Sequence, residues 1–315
     1  MHSPTFMLEL TINKEKYMFE VKKNELTLSD SFKFDVGLTP NYYRDEVANE
    51  FVKIPESFQV MDTTNNEPIS NAIVGSQYNP DAYYKMIAVL SEAILKSNIY
   101  GEFHVQDSLF DGKGKFVREI RFPNLTITPK TRKVGDIIEF RIRFRTSLDG
   151  SWMHLLEIAP IRLACLNGQT SAIHKLMFAN KHTSGFSVDT LRINIQSGIE
   201  TFQSMGSWFE SLSNREISES NVREILNTTL FKNQVKAKAD LDKNKTYNWM
   251  INQFYQESKN LGMTMYACYN MLTHWASHTP HELRTKSTRV HQRQYDDNQK
   301  VLFVLKSPVW NNYMN

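Results

Sequence analysis

Between Glu102 and Cys165 the apolar residues recur at every second position, a period that only a β-strand satisfies. The strictest alternation is Phe140-Arg141-Ile142-Arg143-Phe144-Arg145. A strand turns successive side chains to opposite faces, so Phe140, Ile142 and Phe144 point one way and the three arginines the other. The spacing predicts strands at Glu102 to Val105, Lys115 to Phe122, Ile137 to Arg145 and Trp152 to Cys165, the last broken at Pro160. Gly112-Lys113-Gly114, Pro123-Asn124 and Asp149-Gly150 are turn signals between them. Short connections of this kind join antiparallel neighbours, so the segment reads as a β-meander.

The flanks differ. Phe6 to Leu10 and Lys16 to Val21 have strand composition, and Met61 to Ser70, polar and containing Pro68, reads as a loop. Asn79-Pro80 signals a helix start, and Ala82, Met86, Val89, Leu90 and Ala93 carry the helix to about Ser97. After the meander, Ile195, Ile199, Phe202, Met205, Phe209 and Leu212 mark one buried helix face. Helices are expected at Val222 to Phe231 with Asn221 as a cap, at Thr246 to Ser258 ended by Gly262, and at Met265 to Ser277 capped by Thr264. Lys232 to Lys245 is a charged stretch between helices, and Lys300 to Lys306 reads as a short apolar strand. The chain is therefore an α+β protein with a central antiparallel β-meander. A strand-rich region over 1–70 precedes an α+β core over 71–280 (sheet 100–165, helices 190–278), and 281–315 form a C-terminal arm.

Two cysteines, Cys165 and Cys268, without ligand spacing suggest reduced thiols, and no apolar run is long enough to span a bilayer. The N-terminus lacks the basic and apolar segments of a signal peptide, which together with the cysteines points to a cytoplasmic, non-membrane protein. The net charge of +3 is unevenly spread. Residues 1–60 carry seven basic and ten acidic side chains, whereas 111–147 carry ten basic and four acidic. Such a local excess bears on partners in a way that the total does not.

Three arginines on one strand face repel one another unless solvated, paired with carboxylates or neutralised by an anion. Phosphate matches guanidinium best, through paired hydrogen bonds. Arg118, Arg121, Arg132 and Lys133 extend the patch made by Arg141, Arg143 and Arg145, and Arg162 is expected to join from the next strand. Such a sheet would follow a nucleic-acid backbone without reading its sequence. The competing reading is a face paired with acids of the N-terminal region, or simply solvated. Tyr42, Tyr43, Tyr78, Tyr83, Tyr84 and Phe186 are candidates for base stacking, with burial in the core as the alternative for most. His274 and His278, four apart on a helix, have zinc-binding spacing, but no glutamate follows His274 and Pro280 intervenes before His281. No phosphate loop, dinucleotide fingerprint or anchored nucleophile is present, so the chain reads as a non-enzyme with neither cofactor nor metal.

Gly75-Ser76-Gln77-Tyr78-Asn79-Pro80, Ser147-Leu148-Asp149-Gly150-Ser151, Arg162 through Gly168, Lys181-His182-Thr183, and Tyr269-Asn270 with Thr273 occur in that order. Together they resemble the phage- and plasmid-borne proteins grouped as domain of unknown function 932. The resemblance covers about 70–280 and implies a mobile-element origin near recombination and replication functions, with no established activity. Lys181 and His182 are expected to set a cation and a hydrogen-bonding ring beside the strand ends. The expectation is a DNA-binding protein, most concretely a self-associating single-strand annealing protein for single-stranded or duplex DNA. The alternatives are a factor that engages a host protein and a metal-dependent nuclease.

Overall fold

A computed structural model describes residues 6–12, 15–99, 101–130, 136–158, 160–164, 167–168, 177–181, 187–278 and 290–314. The fold is α+β, and its residues group into two compact units that interleave along the chain. The first comprises Met1–Asn124, Arg141–Ile158 and Met177–Gly198, and the second Leu125–Phe140, Ala159–Leu176 and Ile199–Asn315.

In the first unit, β1 (Phe6–Ile12) pairs with β2 (Glu15–Lys23), and β3 (Val36–Asp45), β4 (Glu50–Asp62) and β5 (Glu67–Val74) form a separate three-stranded sheet. Met61 to Ser70 is therefore a hairpin rather than a loop. Pro68 is accommodated because β5 is an edge strand, where a missing N–H breaks no inner ladder. The helix α1 (Tyr83–Lys96) begins three residues after Pro80, because Tyr78 is held in a turn by its N–H donating to the Gly75 carbonyl. Then come β6 (His104–Phe110) and β7 (Lys115–Ile127), the first part of the meander. Pro123-Asn124, expected to turn the chain, lies within β7 instead.

The meander continues through β8 (Ile138–Ser147), β9 (His154–Ile158), the two-residue strands β10 (Ile161–Arg162) and β11 (Asn167–Gly168), and β12 (Met177–Asn180). Its strands pair antiparallel: β6 with β2 and β7, β8 with β9, and β9 with β12 in the first unit, and β10 with β8 and β11 in the second. In the first unit Met86, Ile87 and Leu90 of α1 are buried, as are the strand residues Phe116, Ile120, Ile142 and Phe144. Tyr83 stacks on Phe116 with ring centroids 5.0 Å apart. Each such apolar side chain contributes about 1.5–3 kcal/mol when fully buried.

The helical half follows the expected periodicity. The helix α2 (Val188–Ser213) buries Phe202, Met205, Phe209 and Leu212, and Phe202 packs against Phe140 at 5.2 Å. Ser218, not Asn221, caps α3 (Glu219–Thr228). Asn221 sits three residues in and completes a reciprocal capping box. A short helix α4 (Lys232–Lys236) leads to α5 (Lys245–Leu261), which ends at Gly262 with φ 70°. Thr264 Oγ1 accepts the Ala267 N–H and opens α6 (Met265–His278). The segment Lys300 to Lys306 is no strand: Lys300 to Leu305 end α7 (Val290–Leu305), and α8 (Pro308–Met314) follows. Val301, Val304 and Leu305 recur at three and four residues, so a helix, not a strand, buries them together.

Two glycines of α2 give opposite expectations. A Cβ on Gly198 would lie 2.4 Å from Ile158 Cγ1, a β-branched side chain with little freedom to yield. Gly198→Ala is expected to cost about 1–3 kcal/mol. At Gly206 nothing among the described residues lies within 4 Å of the added atom, so Gly206→Ala is expected to be neutral or to stabilise by up to about 1 kcal/mol. Urea unfolding of the two variants separates the cases.

Candidate functional site

The arginine strand lies on β8 with the alternation the sequence predicts. Phe140, Ile142 and Phe144 are fully buried on the apolar face. Arg141, Arg143 and Arg145 are buried too, at 4–9% exposure, and carboxylates of the neighbouring strands engage them. Arg143 Nε donates to Glu119 Oε1 at 2.6 Å, Arg141 reaches Glu119 Oε2 at 3.3 Å, and Arg145 lies 3.4 Å from Glu157 Oε2. The acids come from β7 and β9, not from the N-terminal region. Strand pairing explains the choice, since Arg143 stands directly opposite Glu157 in the ladder.

The shared carboxylates treat the arginines unequally. Burial alone lowers both pKa values, but Glu119 and Glu157 more than offset it at Arg143, which ends above its ordinary value. Arg141 has the longer contact with Glu119 and adjoins Arg143, so burial leaves it lowered to about 10. Nearby, Lys115 pairs with Asp111 and with Asp149 at 3.0 Å, and Trp152 packs beneath Lys115 and Arg145. Asp149 resists the upward push of burial because the Ser151 hydroxyl and amide and Lys115 hold its charged form.

Register also separates residues that the sequence groups together. Arg118 shares parity with Phe116 and Ile120, so it points away from Glu119 and from the arginines of β8. There it makes a two-pronged pair with Asp107 at 2.6 Å and donates to the Leu26 carbonyl. Arg121 does share the Glu119 face and is half-buried. Arg162 is opposite Ile138 in the ladder and so does not join the patch. In the second unit it is a fully buried hub: Nε donates to Asp136 at 2.7 Å, and Nη1 donates to Glu257 at 3.0 Å and Asn270 at 3.2 Å. Tyr266 donates to the other Asp136 oxygen and lies under the guanidinium. Lys181 is exposed, while Arg132, Lys133 and His182 lie outside the described residues.

The aromatic candidates divide as well. Tyr83 is buried and Tyr78 half-buried, with its hydroxyl donating to the Ser147 carbonyl at 3.0 Å. Tyr84 donates to Asp35, and Phe186 lies outside the described residues. Tyr42 and Tyr43 are 54% and 51% exposed on β3. The His274 and His278 rings are 4.9 Å apart, but among the described residues no group of three ligating side chains is placed to hold a metal. A cleft of about 560 Å³ beside α1, walled by Leu26, Leu28, Ile87, Leu95 and Phe103, has Tyr84 in its lining but none of the predicted cations.

A run of exposed cations lies elsewhere, in the charged stretch that the sequence marks only as a connection. Lys232, Lys236, Lys238, Lys243 and Lys245 all face solvent. Lys243 pairs with Asp240 at 3.1 Å, and Asp242 lies 3.7 Å from Arg223. Among the described residues the other four lysines have no carboxylate partner.

The resemblance blocks meet in space within each unit. Tyr78 touches the Ser147–Ser151 turn through the Ser147 carbonyl, and a Cβ on Gly150 would lie 3.7 Å from its ring. Arg162 and Asn270 bond directly. Comparison with known families finds that residues 71–302 match the family described as Domain of unknown function (DUF932). The chain belongs to this family. No curated protein and no solved structure matches the chain. The DUF932 region thus contains the buried arginine pairs and the lysine segment, and β3 and β4 precede it. Among the described residues, no helix of this DUF932 protein is long and apolar enough to cross a membrane.

The buried pairs predict a large cost for single deletions. Glu119→Ala strands two guanidinium groups and is expected to cost about 3–5 kcal/mol in urea unfolding, against under about 1 kcal/mol for an exposed pair. His274 gives a pH signature. Burial and the adjacent His278 lower its pKa below 6.5, so the unfolded chain takes up a proton first as pH falls. Its contribution is fully present above pH 6.5 and is lost as pH drops through the folded value. Melting temperature is expected to fall on acidification below that point, and less steeply in His274→Gln.

Proposed function

We propose that this DUF932 protein binds nucleic acid through its phosphates, with the lysine segment 232–245 as the contact. One observation carries the reading: four exposed lysines within fourteen residues have no carboxylate partner among the described residues. A cation already paired with a carboxylate must break that pair to take a phosphate, whereas a solvated lysine gives up only water and releases the counterions of the nucleic acid. The arginines of β8 face that cost, so their role is to hold strands together. Phosphate contacts position a strand without reading bases, which suits an annealing protein that leaves bases free to pair. Self-associating single-strand annealing, without cofactor, is the concrete form of the proposal.

Binding of labelled single-stranded and duplex DNA is measured across a salt series. Affinity is expected to fall with salt, and Lys232→Glu, Lys236→Glu and Lys238→Glu together are expected to reduce the slope of log affinity against log salt by about 2 for single strands. Absent or salt-insensitive binding by the unaltered chain, or an unchanged slope in the triple variant, would sink the proposal.

A further inference from the structure

The hairpin of β3 and β4 gathers several exposed apolar side chains of the first unit. Tyr42, Tyr43 and Phe51 are 54%, 51% and 75% exposed, and Val47 in the turn is almost wholly so. Solvent-exposed aromatics gathered on one element mark a contact surface more often than a solvated one. The ladder register shows how they are arranged. Tyr42 stands opposite Lys53, Tyr43 opposite Val52, Arg44 opposite Phe51 and Asp45 opposite Glu50. Directly opposed residues of an antiparallel pair share a face, and neighbours along a strand do not. One face therefore carries Tyr42, Arg44, Phe51 and Lys53, two rings with two cations. The other carries Tyr43, Asp45, Glu50 and Val52, two apolar groups with two carboxylates.

Among the described residues, these four ions are not neutralised. Arg44 bonds the neutral Asn49 at 2.8 Å, and Lys53 lies over the Phe58 ring at 5.3 Å. Asp45 accepts the Val47 and Ala48 amides of the turn at 2.9 and 3.1 Å, which fixes it on its face without cancelling its charge. Among the described residues none of Arg44, Lys53, Asp45 and Glu50 forms an ion pair.

We propose that this hairpin joins copies of the chain, the cationic aromatic face of one copy packing on the acidic apolar face of the next. Each face offers two apolar groups and two charges, with opposite signs, so the complement of either face is present on the same element. The hairpin and its turn hold two cations, Arg44 and Lys53, against Asp45, Glu46, Glu50 and Glu56, a net charge that repels a polyanion such as nucleic acid. Because the two faces differ, the contact is heterologous. It does not stop at two copies, but closes into a ring or extends as a filament. The contact does not depend on nucleic-acid binding by the lysine segment, and mass rather than DNA affinity reports on it.

Native mass spectrometry and light scattering on the full chain, over a concentration series at low and high salt, test the contact. Species larger than a dimer are expected, with dissociation favoured by salt. Lys53→Glu and Glu50→Lys, both at exposed positions, are each expected to raise the concentration needed for assembly by about tenfold. An equimolar mixture of the two variants is expected to recover assembly, because the reversed charges then oppose one another. Loss of fold cannot produce that recovery. A chain that stays monomeric at its highest soluble concentration, single reversals that leave the mass unchanged, or a mixture that recovers nothing would each overturn the contact. So would a monomeric chain whose binding of labelled single-stranded DNA is lost in Lys53→Glu, which assigns the face to nucleic acid.

Discussion

A guanidinium withdrawn from water must meet a carboxylate, and the described sheet residues are organised around that requirement. Arg118 with Asp107, Arg143 with Glu119 and Arg162 with Asp136 each use Nε at 2.6 or 2.7 Å, the side of the fork that allows two parallel bonds. Desolvation makes such pairs poor sources of net stability but severe selectors of geometry. Arg118 holds the Leu26 carbonyl, which fixes an irregular segment with no ladder of its own. Arg162 joins β10 to Glu257 of α5 and Asn270 of α6. Aliphatic residues of similar volume would fill these places without setting register or choosing which loop is captured.

The same residue type therefore has two meanings in this chain, decided by neighbours rather than by count. The excess of basic residues over 111–147 reads as a binding surface until strand pairing places Glu119 and Glu157 across from it. The charged stretch over 232–245 is shorter, with five lysines in fourteen residues, and its two acids are already engaged, Asp240 with Lys243 and Asp242 near Arg223. Availability of charge is a property of pairing. A single sequence carries it only where both partners are neighbours along the chain.

What the sequence makes legible follows from the range of the interactions. The alternation at Phe140–Arg145 and the spacing of Ile195 to Leu212 are local periods, and β8 and α2 form where those periods place them. Errors arise where two local codes compete. Pro123-Asn124 has turn chemistry but stays within β7, Pro68 suggests a break but occupies an edge, and Val301, Val304 and Leu305 fit a short strand until helical spacing is counted. The pairing of Arg162 with Glu257 spans 95 residues, and no pattern near either residue announces it. The two-faced hairpin was within reach of sequence reasoning, since Tyr42, Arg44, Phe51 and Lys53 alternate. Only the register, including its shift between Pro40 and Tyr42, decides which of them share a face.

The interleaving of the two units bears on how the chain acquires its structure during synthesis. The first unit is completed only by Met177–Gly198, so roughly two-thirds of the chain must leave the ribosome before it can close. Until then β9 lacks β12 and presents an open sheet edge, the kind of surface that recruits other strands. Ile158 lacks α2 over the same interval, since Gly198 supplies its close packing. The pace of translation between Ile158 and Gly198 thus sets how long a sticky intermediate persists, and any helper that shields strand edges has its window there.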